Sequence, residues 1–262
     1  MRAGLLSGGL RPPLPTQADP DAAPVHPDGE GGRFYKIEAD TLVWSAACPE
    51  GKQAAVYKMY RNRGPISWQR EKACRFRVQR EYEACAYLER NGLATIPPLS
   101  WFYGRHADHG RYEILCMAEL QGSEALTELV NTNRTEEIDF EKLFRLLRRM
   151  HGAGFYHGRL DLRNLMGMPE TGGGWRYLIM DTPQAMIFKR DIFGTRMAWH
   201  DMRQVSSYTH DILGEEACIA LLQVYGMTPG QARKVLQEVQ GGLVPKGLRN
   251  LMRFAFGIRS RL

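Results

Sequence analysis

The chain has 262 residues, 44% of them hydrophobic, which suits one large or two small domains with a substantial core, and it has no apolar run of eighteen residues that could span a bilayer. Its five cysteines are widely spaced without a Cys-x-x-Cys pair, which argues against a disulfide framework and a zinc site and favours a reducing cytoplasm. The net charge of +6 favours an anionic partner, such as anionic lipid, phosphorylated glycan or nucleic acid.

The N-terminal half predicts a small β-rich lobe. Residues 1–32 are rich in Pro, Gly, Asp and Ala and lack the apolar stretch of a secretory signal, so we expect a disordered leader. Aromatic and β-branched residues over 34–44 and 54–60 predict antiparallel strands. One helix follows at 75–90, and two more strands follow at 99–103 and 112–117. Together these elements predict an N-terminal lobe and hinge over 33–120.

The C-terminal half predicts a mainly helical lobe over 121–262. Apolar residues from Phe140 to Met150 recur with a period of 3.6, and residues 135–137 supply a cap and negative charge near the helix start. A short strand is predicted at 177–180, and helical stretches are predicted around 202–213, 215–225 and 229–239. The predicted fold class is α+β with two lobes.

Residues 157–164, His-Gly-Arg-Leu-Asp-Leu-Arg-Asn, form the most informative motif. The catalytic loop of protein kinases carries His-Arg-Asp-Leu, three variable residues and Asn. His157 and Asn164 fall in register with that pattern, but Arg159 occupies the place of the catalytic Asp. Asp161 is the only acid in the loop, so the question of enzyme activity depends on this exchange.

Phosphoryl transfer from ATP also needs a cation on the nucleotide phosphates. Lys58 ends an apolar strand and matches the Val-Ala-Ile-Lys pattern, whose Lys contacts those phosphates. Glu81 or Glu83 on the next helix could pair with Lys58, and we favour Glu81 because the two cannot both face inward.

The remaining nucleotide-binding features come in the expected order. A hinge at Glu119 and Leu120 would contact the adenine edge through backbone groups, and Asn164 and Asp181 would hold magnesium. A Gly-rich phosphate loop is missing, since the turn between the first predicted strands offers only Gly51. We therefore expect the phosphates of bound ATP to be less enclosed than they are in protein kinases.

This series of motifs resembles the bacterial lipopolysaccharide kinase family, which includes core heptose kinases and Kdo kinases and has a protein-kinase-like fold. The resemblance rests on residues 55–60 for the Lys-bearing strand, 80–99 for the helix and following stretch, 117–122 for the hinge, and 150–157 for the approach to the loop. It implies an ATP- and magnesium-dependent kinase that phosphorylates a lipopolysaccharide sugar, a core heptose or Kdo. It also implies a site at the cytoplasmic face of the inner membrane, peripheral contact with anionic lipid, and an Asp201 that braces the catalytic loop.

Two interpretations of the exchange at Arg159 stay open. Arg has no lone pair to accept a proton near neutral pH. An extended backbone returns to the same face every second residue, so Asp161 could position the acceptor hydroxyl while Arg159 contacts an anionic substrate or phosphate. Alternatively, Asp161 bonds to neighbouring backbone, and the chain is a pseudokinase, a nucleotide- or lipid-binding scaffold in envelope biogenesis or stress response. A nucleic-acid binder ranks below both, because the basic stretches 61–80 and 246–261 have few interleaved aromatic residues.

Overall fold

The computed structural model describes residues 33–37, 41–47, 54–62, 76–106 and 110–240. The predicted leader, the basic C-terminal stretch and most of the basic stretch 61–80 lie outside the described residues. The chain divides into two compact units, one drawn from Met1–Val78 and Leu99–Met117 and the other from Gln79–Pro98 and Ala118–Leu262. No helix in the described part of the chain is long and apolar enough to cross a membrane.

A five-stranded sheet forms the first unit. Its strands are β1 (Arg33–Ile37), β2 (Thr41–Ala47), β3 (Ala54–Asn62), β4 (Pro98–His106) and β5 (Gly110–Ala118), in the order β1-β2-β3-β5-β4. The pairs β1–β2 and β2–β3 are antiparallel, so the predicted strand over 34–44 is in fact two strands that pair with each other. Alternate residues on β2 and β3 face the core, where Trp44 stacks on Tyr57 with ring centroids 5.5 Å apart.

Helix α1 (Arg77–Arg90) confirms the helix predicted after the third strand. Its first turn is bound by a carboxylate from the sheet, because the buried Glu113 on β5 accepts the N–H of Val78 at 3.1 Å. The helix ends as expected at Asn91 and Gly92. Gly92 has a φ of +65° and Leu93 donates its N–H to the Leu88 carbonyl, which closes the last turn.

The second unit contains the other helices and two small sheets. Its strands are β6 (Glu124–Ala125), β7 (Phe155–Tyr156), β8 (Leu165–Pro169), β9 (Trp175–Ile179) and β10 (Met186–Ile187), and its helices after α1 are α2 (Leu126–Asn131), α3 (Phe140–Gly152), α4 (Arg196–Leu213), α5 (Glu215–Val224) and α6 (Pro229–Gln240). The predicted helical character is right, but the described part of this lobe, up to residue 240, holds four more strands than the single one predicted. The antiparallel hairpin β8–β9 carries the chain from residue 164 to Asp181.

Two helix starts differ from the predictions. The 3.6-residue period of α3 is confirmed, but its cap is Asp139, whose carboxylate accepts the N–H of Lys142 at 2.8 Å, and residues 135–137 form a separate 3-10 turn. Helix α4 begins at Arg196, six residues before the predicted start, because Thr195 caps it by accepting the N–H of Ala198.

Candidate active site

The loop of residues 157–164 is anchored at its start by one buried carboxylate. Asp201 on α4 accepts the N–H of His157 on Oδ2 at 2.8 Å and the N–H of Gly158 on Oδ1 at 2.9 Å. The sequence resemblance implied this bracing role, and the hydrogen bonds confirm it. Burial raises the pKa of Asp201, but the hydrogen bond with His151 and the His200 ring nitrogen 3.9 Å away outweigh that effect and hold the pKa at about 2. Asp201 is therefore an anion that fixes two backbone groups of the loop.

A second layer of buried groups supports this anion. His151 on α3 places Nε2 3.3 Å from Asp201 Oδ2 and Nδ1 2.7 Å from the Tyr225 hydroxyl. Burial raises the pKa of Tyr225, so the phenol keeps its proton, and the His151 ring connects this hydroxyl to the Asp201 carboxylate. This Tyr–His–Asp connection could not be predicted from the sequence, since residues 74 positions apart carry no local signal of contact.

The loop is also joined to the strand end that precedes Asp181. His157 Nε2 donates to the Met180 carbonyl at 2.9 Å, and the Met180 N–H donates to the Asn164 carbonyl at 3.0 Å. Asn164 Nδ2 donates to the Arg159 carbonyl at 2.6 Å. The structure therefore brings Asn164 next to the residue before Asp181, as the predicted order of motifs required.

The two predicted magnesium ligands fit a hard cation. Because Asn164 uses its Nδ2 within the loop, its Oδ1 is the atom it has to offer a ligand. Asp181 has a φ of +55°, in the left-handed region that Asp adopts more readily than most residues. Within the described ranges no group of three or more His, Cys, Asp and Glu side chains could hold a metal ion. Asn164 and Asp181 offer an amide oxygen and a carboxylate, and Mg²⁺ takes one or two such protein oxygens together with substrate phosphates.

Asp161 is engaged within the loop itself. It has an extended backbone and caps the 3-10 turn Leu162–Asn164, with Oδ1 accepting the N–H of Arg163 at 2.9 Å. Its Oδ2 accepts from the Arg163 guanidinium at 2.7 Å, and the carboxylate is nearly buried while Arg163 is exposed. This local bond is the arrangement expected under the pseudokinase interpretation. Sequence reasoning did not single out Arg163, although a cation two residues after the only loop acid was a visible signal.

Arg159 differs from its neighbours. Its backbone is bonded on both sides, the N–H to His157 Nδ1 at 3.3 Å and the carbonyl to Asn164. Its side chain is exposed and has no hydrogen-bond or ion-pair partner among the described residues. The position of the missing catalytic Asp thus holds a solvent-exposed guanidinium.

The nucleotide-binding candidates of the first unit and the hinge are placed as follows. Lys58 lies on β3 opposite Val43, with Nζ 5.3 Å from the centre of the Tyr60 ring. Glu119 and Leu120 directly follow β5, and the Leu120 carbonyl accepts hydrogen bonds from the backbone and hydroxyl of Ser123. Adenine recognition at Leu120 would therefore use its N–H group.

The two candidate partners of Lys58 differ in burial. Glu81 is 1% exposed, whereas Glu83 is only half-buried and accepts a hydrogen bond from Gln79 on its own helix. Glu81 thus faces inward, as the preference for it assumed, and its pairing with Lys58 stays a prediction.

Comparison with known proteins identifies the family. The profile of the lipopolysaccharide kinase (Kdo/WaaP) family matches residues 43–225. The chain belongs to this family. The resemblance inferred from the motifs is thereby confirmed.

Individual members of the Kdo/WaaP family show how far the likeness extends. Two 3-deoxy-D-manno-octulosonic acid (Kdo) kinases, from Xylella fastidiosa strains M23 and Temecula1, are each 29% identical over 155 residues, which cover 58% of this chain and 58% of theirs. The chain thus spans a little over half the length of these curated relatives. The solved structure of WaaP in complex with acyl carrier protein matches with a TM-score of 0.54 and 17% identity, over 80% of this chain and 83% of that one. The predicted two-lobed α+β fold is confirmed.

Proposed function

We propose that this chain is an ATP-dependent kinase of lipopolysaccharide biosynthesis that transfers phosphate to a hydroxyl of a Kdo residue. Membership of the Kdo/WaaP family supports a sugar kinase, and the two Kdo kinases among its relatives favour Kdo over a core heptose. The acceptor is an anionic glycolipid, so we place the reaction at the cytoplasmic face of the inner membrane, with peripheral contact to anionic lipid.

The proposed site assigns one task to each predicted residue. Lys58, held by Glu81, contacts the nucleotide phosphates, and the backbone at Glu119 and Leu120 contacts adenine. Asn164 and Asp181 hold Mg²⁺, which neutralises charge on the phosphates when it is bound.

Asp161 orients the acceptor hydroxyl, and Arg159 lies beside it. A phosphoryl transition state is largely dissociative, so positioning and charge stabilisation matter more than deprotonation. A carboxylate displaced by two residues is compatible with that chemistry.

One observation carries the proposal. Residues 157–164 and the strand end before Asp181 form a connected hydrogen-bonded unit through His157, Met180 and Asn164. The Asn164 carbonyl accepts the N–H of Met180, so Asn164 is bonded to the residue directly before Asp181, which supports the assignment of these two residues to the metal of a phosphoryl-transfer site. The exchange at Arg159 leaves every one of these bonds in place.

A second candidate function follows from the Asp161–Arg163 bond. A carboxylate that caps its own turn and pairs with Arg163 is occupied, and Arg159 cannot replace it as a base. A protein of this kind binds nucleotide or lipid without transferring phosphate. It would act as a pseudokinase scaffold in envelope biogenesis.

A transfer assay distinguishes the two functions. Purified protein is incubated with radiolabelled ATP, Mg²⁺ and lipid-linked Kdo, and ATP binding is followed in parallel by thermal shift. The kinase proposal expects labelled glycolipid, and Asn164→Ala should reduce the rate by at least about tenfold while Asp191→Asn, an exposed carboxylate outside the loop, leaves it unchanged. ATP binding without transfer to Kdo or heptose acceptors would favour the scaffold.

Two loop variants test the role of Asp161 directly. Asp161→Asn keeps an oxygen that can cap the turn and accept from Arg163, so the loop should stay folded while transfer falls by about 100-fold or more. Arg163→Gln removes the competing guanidinium and leaves the carboxylate, so transfer should be retained or increased. Transfer that survives Asp161→Asn would refute the assignment of Asp161 but not the kinase function.

A further inference from the structure

Arg159 has a fixed backbone and an exposed side chain. Both of its backbone polar groups are bonded, to His157 and Asn164, and the two residues before it donate to the buried Asp201. The Cα atom of Arg159 is therefore held in place as firmly as the neighbouring groups of the site.

The charged side chains of the loop differ in how they are compensated. Asp161 and Arg163 neutralise each other, because the Arg163 guanidinium donates to Asp161 Oδ2 at 2.7 Å. Arg159 has no such partner in the described part of the chain. The loop therefore carries one uncompensated positive charge, and Arg159 is its location.

A guanidinium with free donors recognises oxyanions, and its planar fork matches a carboxylate or a phosphate through two parallel hydrogen bonds. Two groups of the proposed reaction have that chemistry, the nucleotide phosphates and the carboxylate of Kdo. Arg159 stands at the position where protein kinases place the residue that contacts the acceptor hydroxyl, not the nucleotide. We infer that Arg159 binds the carboxylate of an acidic acceptor sugar, an inference that rests on the proposed kinase function.

Polar groups beside the loop suit the hydroxyls of such a sugar. The Tyr156 hydroxyl lies 3.0 Å from His200 Nδ1, and Gln204 Nε2 lies 3.2 Å from His200 Nε2. The His200 side chain is 30% exposed, so this row can be reached by a ligand hydroxyl at His200. This row begins next to Gly158, since a Cβ there would lie 3.3 Å from the Tyr156 ring.

A binding experiment tests the subsite without requiring catalysis. Isothermal titration compares free Kdo with its methyl ester, which keeps every hydroxyl but has no negative charge. The full chain should bind the acid at least about tenfold more tightly, and Arg159→Gln should bind both sugars as weakly as the unaltered protein binds the ester. Arg163→Gln is the matched control, because its guanidinium already has a partner, and it should keep the preference. Equal binding of acid and ester, or a preference that survives Arg159→Gln, overturns the inference.

The transfer assay then separates the two anions. Arg159→Gln should raise the KM for lipid-linked Kdo by at least about tenfold and leave the KM for ATP within about twofold. A raised KM for ATP with an unchanged KM for the acceptor would assign Arg159 to the nucleotide and overturn the inference. If the unaltered protein prefers the acid but transfers no phosphate, the kinase function fails and the subsite stands.

Discussion

Asp201→Asn should destabilise the second unit strongly, because Asn cannot replace both acceptor atoms. The carboxylate accepts from the His157 and Gly158 backbones on different oxygens, whereas an amide has one acceptor and one donor group. One buried N–H must then face another donor, which loses a charge-assisted bond and leaves an unsatisfied group. Such a change costs about 3 to 5 kcal/mol. The lowering of the Asp201 pKa from 3.8 to about 2 gives an independent figure on the order of 2 kcal/mol.

Urea unfolding and thermal melts would measure the loss. A cost of about 3 kcal/mol corresponds to a fall in Tm of roughly 6 to 12 °C for a chain of this size. The control is Asp191→Asn, whose side chain is 45% exposed and pairs with Arg148, and it should cost less than about 1 kcal/mol. Equal stability of the two variants would refute the reasoning.

The same variant makes a prediction about pH. The pKa of Asp201 is lower in the folded protein than in the unfolded chain, so its contribution is complete above about pH 4 and is lost as the pH falls towards 2. The difference in unfolding free energy between the unaltered protein and Asp201→Asn should therefore shrink over that window. A constant difference from pH 5 to pH 2.5 would contradict the assignment of charge to Asp201.

Two further substitutions test the packing around the loop by urea unfolding. Gly154→Ala should cost on the order of 4 kcal/mol or more, because an added Cβ would lie 2.1 Å from the Phe188 carbonyl oxygen. Gly194→Ala is the control, because Gly194 has a similar positive φ but open space around it, and it should cost only about 1 to 2 kcal/mol. Tyr225→Phe should cost about 1 kcal/mol, since it keeps the buried ring and removes only the hydroxyl that bonds to His151, and a cost near zero would mean that this bond contributes no net stability.

Patterns with a short period could be predicted from the sequence. The helix at Phe140–Gly152 follows from its apolar spacing, and the strand that carries Lys58 follows from its aromatic and β-branched residues and the neighbouring turn residues. The strand Glu124–Ala125 could not be predicted, because two residues carry no periodicity and pair only through tertiary contact with β8. The start of α4 was missed although its signals are in the sequence: Thr195 is a residue type favoured at helix starts, and Ala198, Met202 and Val205 follow a helical period.

The order of the site residues along the chain could be predicted, but the hydrogen bonds among them could not. The spacing from His157 to Asn164 and the position of Asp181 were readable, since they lie in fixed register along the chain. The state of Asp161 was not readable, because its bond to Arg163 depends on the extended backbone at residue 161, with φ −129° and ψ 170°. Residues two apart meet only in some backbone conformations, so both interpretations of this acid were compatible with the sequence.

The hydrogen bonds that hold the loop do not involve the side chain at position 159. His157, Gly158 and Asn164 are fixed through backbone groups, a ring nitrogen and an amide, and the contribution of residue 159 is its N–H and its carbonyl. Any residue except proline supplies those two groups. Replacement of an Asp by Arg at this position therefore costs the folded loop none of these bonds, and the exposed guanidinium adds no ion pair with the described residues. Neither the loop nor its described neighbours use the Arg159 side chain, so Arg159→Gln should leave the stability of the loop unchanged while it removes the proposed contact with the acceptor carboxylate.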